Sequence, residues 1–148
     1  MTVALKAPEQ RPAAQDEPQI LAFCCNWCGY AAADQAGAAK IEYPPSVKIL
    51  RLMCTGMMDP YYVLRAFERG FDGVLVVGCH PGSCHYKSGN LQAKEQVERV
   101  SKVLRGLGLE GRLRMTAASA SEGPQFAAAA TEFTETVRKL GPSPLREA

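Results

Sequence analysis

Six cysteines, Cys24, Cys25, Cys28, Cys54, Cys79 and Cys84, are the residues of this chain best suited to chemistry. Thiolates bind soft metals and attack disulfides, so spacing decides what a group of them can do. Cys25-Asn26-Trp27-Cys28 is a CxxC hook, able to chelate one metal or to close a redox disulfide at the start of a helix. Cys79-His80-Pro81-Gly82-Ser83-Cys84-His85 is a second hook, in which Pro81 and Gly82 demand a tight turn that aims its thiols one way. With Cys54 there are more thiols than the four that hold a tetrahedral zinc or an iron–sulfur cluster, and the excess suits a cluster better than paired zinc knuckles. A thiol–disulfide enzyme of the thioredoxin kind would use the CxxC but leaves Cys54, Cys79 and Cys84 idle. His80 and His85 directly follow cysteines, which matches neither haem attachment nor a mixed histidine–cysteine cluster, and Trp27 either shields the site or anchors its loop.

The elements that must position these thiols are short. The runs Ile20–Phe23, Val47–Met53 and Val74–Val77 are apolar, rich in β-branched residues and bounded by turn formers, so they predict strands, with a weaker fourth over Leu113–Ala118. Helices are expected between them. Asp59 followed by Pro60 opens one that runs to about Phe71, Asn90–Leu107 carries an apolar stripe, and the last starts near Ser121–Pro124 and ends at Leu140, with Ser119 and Glu122 at capping-box spacing. The alternation βαβαβαβα predicts a small doubly wound α/β domain of the flavodoxin or Rossmann type, with a parallel sheet between helices. Each cysteine cluster then begins within two residues of a strand's carboxyl end, and those ends share one edge of a parallel sheet. Helix starts behind Cys28 and near Asp59 are expected to turn their positive ends toward that edge. Adjacent strand residues point to opposite faces, so of Cys24 and Cys25 only one faces the site, and Cys25 completes the CxxC.

Composition narrows the function further. The 148 residues, with 17 basic and 15 acidic side chains, suffice for a core without disulfides or metal, so the cysteines need another purpose. Interspersed charge offers no stripe for nucleic acid, and no apolar run reaches the roughly 20 residues of a membrane span, which makes a cytoplasmic chain the expectation. No GxGxxG follows the first strand and no GxxxxGK[ST] occurs. Residues 1–18 read as a flexible arm, 19–140 as the folded domain and 141–148 as a tail.

The segments FCCNWCGYAAADQAG, YPPSVKILRLMCTGMMDPYYVLRAFERGFDGVLVVGCHPGSCHYKSGN and SASEG, in that order, resemble the delta subunit of methyl-viologen-reducing hydrogenase over residues 19–140. The resemblance implies a non-catalytic electron-transfer subunit with a 2Fe-2S cluster. Such a protein relays electrons from a hydrogenase or formate dehydrogenase module to the flavin- and cluster-bearing A-type subunit of heterodisulfide reductase. Carried over by position, the family's CNWC falls on Cys25 and Cys28, its M-C-x-G on Met53, Cys54 and Gly56, and its GCHPGxCHY on Cys79 and Cys84. Four of these five cysteines would ligate iron. The family's M-C-S-G-R reads Met53-Cys54-Thr55-Gly56-Met57 here, with an apolar side chain in place of a basic one. A zinc-stabilised interaction module and a CxxC oxidoreductase remain the alternatives on residue pattern alone.

Overall fold

A computed structural model describes residues 17–146. Four strands form one all-parallel sheet: β1 (Ile20–Cys25), β2 (Val47–Leu52), β3 (Gly73–Gly78) and β4 (Leu113–Ala117), in the order β2-β1-β3-β4. The helices between and after them are α1 (Gly29–Ala38), α2 (Pro60–Glu68), α3 (Gly89–Gly106) and α4 (Gly123–Leu140), and a short 3-10 turn spans Thr55–Met57. This is the doubly wound α/β architecture expected from the sequence. The chain passes from β1 outward to β2, then returns past β1 to β3, so strand order reverses between β1 and β3.

Alternation along the strands divides the core. Ile20, Ala22, Cys24, Leu75 and Val77 pack on one face with Ala32, Ala33 and Ala36 of α1 and Phe126, Ala130, Phe133 and Val137 of α4. Phe23, Val74 and Val76 pack on the other with Val63, Ala66 and Phe67 of α2 and Val100 and Leu104 of α3. The central strand β3 is buried along its whole length, as a parallel strand covered on both faces must be.

Local chemistry sets the helix ends. Asp59 caps α2 by accepting the Tyr61 N–H at 2.8 Å, with Pro60 in the first turn. The expected run to Phe71 stops at Glu68, because Gly70 turns left-handed and the Phe71 and Gly70 N–H groups bond back to Ala66 and Phe67. α1 and α3 close in the same way at Lys40 and Gly108.

At the amino edge of the sheet the end of the chain is tied down. Asp72, just before β3, is fully buried and accepts N–H groups from Gln19 and Ser143 and a bond from Arg146, each at 2.8 Å. The Arg112 guanidinium, also buried, donates to the carbonyls of Asp72, Leu140, Gly141 and Pro142, capping the carboxyl end of α4 with positive charge. Residues 141–146, expected from the sequence to lie outside the domain, are therefore held against it. Of the expected arm, residues 1–16 lie outside the described residues, while Glu17 bonds Ser46 and Arg138, and Pro18 is buried.

Candidate functional site

The opposite, carboxyl edge gathers the thiols. Cys25 ends β1, Cys28 immediately precedes α1, Cys54 follows β2, and Cys79 and Cys84 lie in the loop after β3. Cys25 Sγ stands 3.7 Å from Cys79 Sγ, and Cys54 Sγ stands 4.0 Å from Cys84 Sγ. Thiols up to 54 positions apart in sequence thus meet at the point where strand order reverses. Cys24 is not among them: it is 0 % exposed in the core beneath α1 and α4, as strand alternation required.

The third loop is shaped by the residues between its cysteines. Pro81 and Gly82, the latter at φ +81°, make a tight turn closed by the Ser83 N–H on the His80 carbonyl at 2.9 Å. Asn90, buried at the start of α3, ties the loop down with Nδ2 on the carbonyls of Cys79 and His80, at 3.1 and 2.9 Å. The Trp27 ring stacks on His85 with centroids 3.9 Å apart, and its Nε1–H donates to the Tyr86 hydroxyl. Since Trp27 is 40 % exposed, it acts as a clasp between the first and third loops.

The start of α3 lies against the second thiol pair. A Cβ on Gly89 would fall 2.2 Å from Cys54 Sγ and 3.4 Å from Cys84 Sγ, and one on Gly56 would meet Gly89 Cα at 2.9 Å. Only two glycines allow this approach. It brings backbone N–H groups of Gly89 and Asn90, with that of Tyr86, onto Cys84. Burial raises the Cys84 thiol, but these amides and the Cys54 thiol outweigh it and the net shift is downward. Cys54 is raised by burial and by Cys84, against a bond from the Gly56 N–H at 3.3 Å. Cys79 is pushed far up, by burial first and then by Cys28 and Cys25. Burial, with Cys25 beside it, lifts Cys24 to about 12, which leaves it a neutral packing group. Bare thiolates so crowded oppose one another, and a bound cation would relieve both the repulsion and the cost of burial.

Sequence reasoning missed the role of α3 and half the role of Glu122. Ser119 and Glu122 do form one arm of a capping box, Glu122 Oε1 accepting the Ser119 N–H at 2.8 Å, but the same oxygen takes His80 Nε2 at 2.5 Å. The Ser119 amide first, then His80, hold the Glu122 carboxyl down at about 2, against 4.5 ordinarily. A carboxyl lowered on folding stabilises the fold above its unfolded value, and that stability drains away as pH falls from about 4.5 toward 2. Glu122→Gln is therefore expected to lower stability at neutral pH and to flatten the profile over that interval, variant and wild type converging toward pH 2, as measured by thermal melts across pH.

The donor set can be tested against metal geometry. Metal–thiolate bonds of about 2.3 Å at tetrahedral angles put two sulfurs on one metal about 3.8 Å apart. Both thiol pairs meet that spacing. Among the described residues, no group of three or more His, Cys, Asp or Glu side chains is placed to hold a single metal ion. Each pair thus has the spacing of two thiolates on one metal, and Cys28 stands beside Cys79 as a fifth thiol.

The sequence pattern of the family described as methyl-viologen-reducing hydrogenase, delta subunit, matches residues 20–141. The chain belongs to this family. Among individual relatives of the delta subunit, the D-type iron-sulfur subunit of the F420-non-reducing hydrogenase of Archaeoglobus profundus is 48 % identical over 127 residues, 85 % of this chain and 93 % of that one. The corresponding iron-sulfur protein of the vhc F420-non-reducing hydrogenase of Methanococcus voltae is 44 % identical over 132 residues, 88 % of this chain and 92 % of the other. A third relative is longer. The A-type subunit of the ferredoxin:CoB-CoM heterodisulfide reductase of Methanosarcina mazei is 41 % identical over 126 residues, which are 84 % of this chain but 16 % of that protein. No helix among the described residues is long and apolar enough to cross a membrane.

Proposed function

We propose that this chain is a cytoplasmic electron-transfer subunit carrying a 2Fe-2S cluster, held by Cys25 and Cys79 on one iron and Cys54 and Cys84 on the other. Cys28 is the fifth thiol beside them. The observation that carries the reading is the pairing of four thiols at 3.7 and 4.0 Å across three loops. The cluster would supply one-electron chemistry. The protein's part is to hold the thiols at one edge, to direct the amides of Gly56, Tyr86, Gly89 and Asn90 at Cys54 and Cys84, and to limit water. Amide donors and the positive end of α3 favour added negative charge and so raise the reduction potential.

The relatives' names support association with a hydrogenase and with the A-type subunit of a heterodisulfide reductase. In this reading the chain relays electrons from the first to the second, and a formate dehydrogenase is a further electron source. Iron, acid-labile sulfide and the electron paramagnetic resonance of the reduced protein, isolated anaerobically with its accompanying subunits, test the reading. About two irons and two sulfides per chain are expected. Zinc, or a metal-free chain with a reducible Cys25–Cys28 disulfide, would overturn it.

Gly89→Ala gives a second check. Its Cβ cannot coexist with Cys54 Sγ, so the variant is expected to lose most of its iron and about 1–3 kcal/mol of metal-free stability. Gly106→Ala in the same helix meets nothing within 4 Å and is expected to keep its full iron content. Reconstitution followed by iron assay and urea unfolding reads both.

A further inference from the structure

On the face covered by α2 and α3, the edge strand β2 is left bare. α2 packs toward β3 and α3, and a groove of about 390 Å³ opens between it and the outer strands. Leu21 and Phe23 of β1, Leu50 and Leu52 of β2, and Tyr61 and Tyr62 of α2 line it. Tyr61 is 61 % exposed and Leu50 42 %, so the groove presents apolar side chains to water. β2 pairs only with β1, and its outer side has no strand partner among the described residues. Two arginines stand at the rim: Arg65 is paired with Glu68 at 2.8 Å, and exposed Arg69 makes no ion pair among the described residues.

Resting on the electron-transfer reading above, we propose that this groove seats an apolar segment, flanked by acidic residues, of the heterodisulfide reductase A-type partner. Three observations select that occupant. Phe23 and Leu52 each precede a candidate ligand by two positions, so a chain in the groove lies within about 7 Å along the strands of Cys25 and Cys54, where a redox partner must be. Arg69, with no ion pair among the described residues, leaves a positive charge at the rim. In the Methanosarcina mazei relative the equivalent unit is part of the A-type protein's own chain, and covalent joining keeps neighbours at millimolar effective concentration. An apolar groove beside an open strand edge is a surface that can hold such a neighbour by contact.

The test uses the full-length, cluster-loaded chain and the A-type partner of the same organism, purified with its cofactors, with affinity measured by biolayer interferometry. Leu50→Glu and Tyr61→Glu are each expected to weaken binding by about ten-fold or more without altering iron content or visible spectrum. Arg69→Ala is expected to reduce the salt dependence of binding, and Val103→Glu on exposed α3 to change nothing. If wild type binds and both groove variants bind equally well, the groove proposal fails while the electron-transfer reading stands. If the wild type does not bind the A-type partner at all, the partner assignment falls, and iron assay then shows whether the cluster survives it. A wild-type dimer that Leu50→Glu dissociates would make the occupant a second copy and overturn the proposal.

Discussion

Replacing Cys84 or Cys54 with alanine is expected to reduce bound iron from about two per chain to near zero and abolish the visible absorption. The two sulfurs are the sole close pair on their side of the site among the described residues, 4.0 Å apart, so neither has a substitute. Alanine is the better probe because a serine hydroxyl can itself ligate iron. Cys25→Ala and Cys79→Ala are expected to fail likewise, since their sulfurs meet at 3.7 Å. Cys24→Ala should keep its iron and lose about 1 kcal/mol from a core position that is 0 % exposed. Anaerobic iron and sulfide assays across the five variants decide the matter: full iron with an unchanged spectrum in Cys84→Ala would refute the ligand set, and its loss in Cys24→Ala would refute the division between core and site.

The second large effect is far from the thiols. Arg112→Met is expected to destabilise the metal-free chain by about 3–5 kcal/mol and lower its melting temperature by about 10 °C. The buried guanidinium serves four carbonyls at 2.9–3.3 Å, and methionine keeps the length while leaving those acceptors without their donor. Asp72→Asn should behave similarly, because its carboxylate accepts two backbone N–H groups and the Arg146 guanidinium at full burial. Urea unfolding with iron omitted measures both. A loss under about 1 kcal/mol in either would show that the end of the chain contributes little to the fold.

Local patterns carried much of this structure into the sequence. Short apolar runs mark three of the strands and, more weakly, β4, while Asp59-Pro60 marks the start of α2 and Pro81-Gly82 the turn between two thiols. Period-two alternation alone separates Cys24 from Cys25. Contacts made only by the closed fold were not legible. Nothing near Gly89 in sequence announces that its bare Cα lies against Cys54, 35 positions earlier, so the local signals point to the helix starts behind Cys28 and near Asp59 and pass over α3. Arg112 and Asp72 resemble any surface charges until the tail returns to surround them. The Ser119–Glu122 spacing is visible, but the partner that adds His80 to it comes from another loop.

The network around Asp72 also brings both ends of the described chain to one place. Gln19 and Arg146 share its carboxylate, and Glu17 reaches Arg138 at 2.9 Å, all at the amino edge and across the sheet from the thiols. Entry and exit of the polypeptide are thus side by side, and polypeptide can be added at either without crossing the redox edge. Such a unit is portable: it can stand alone or be spliced into a larger protein with its electron-carrying rim intact, as the stretch making up 16 % of the Methanosarcina mazei heterodisulfide reductase relative illustrates.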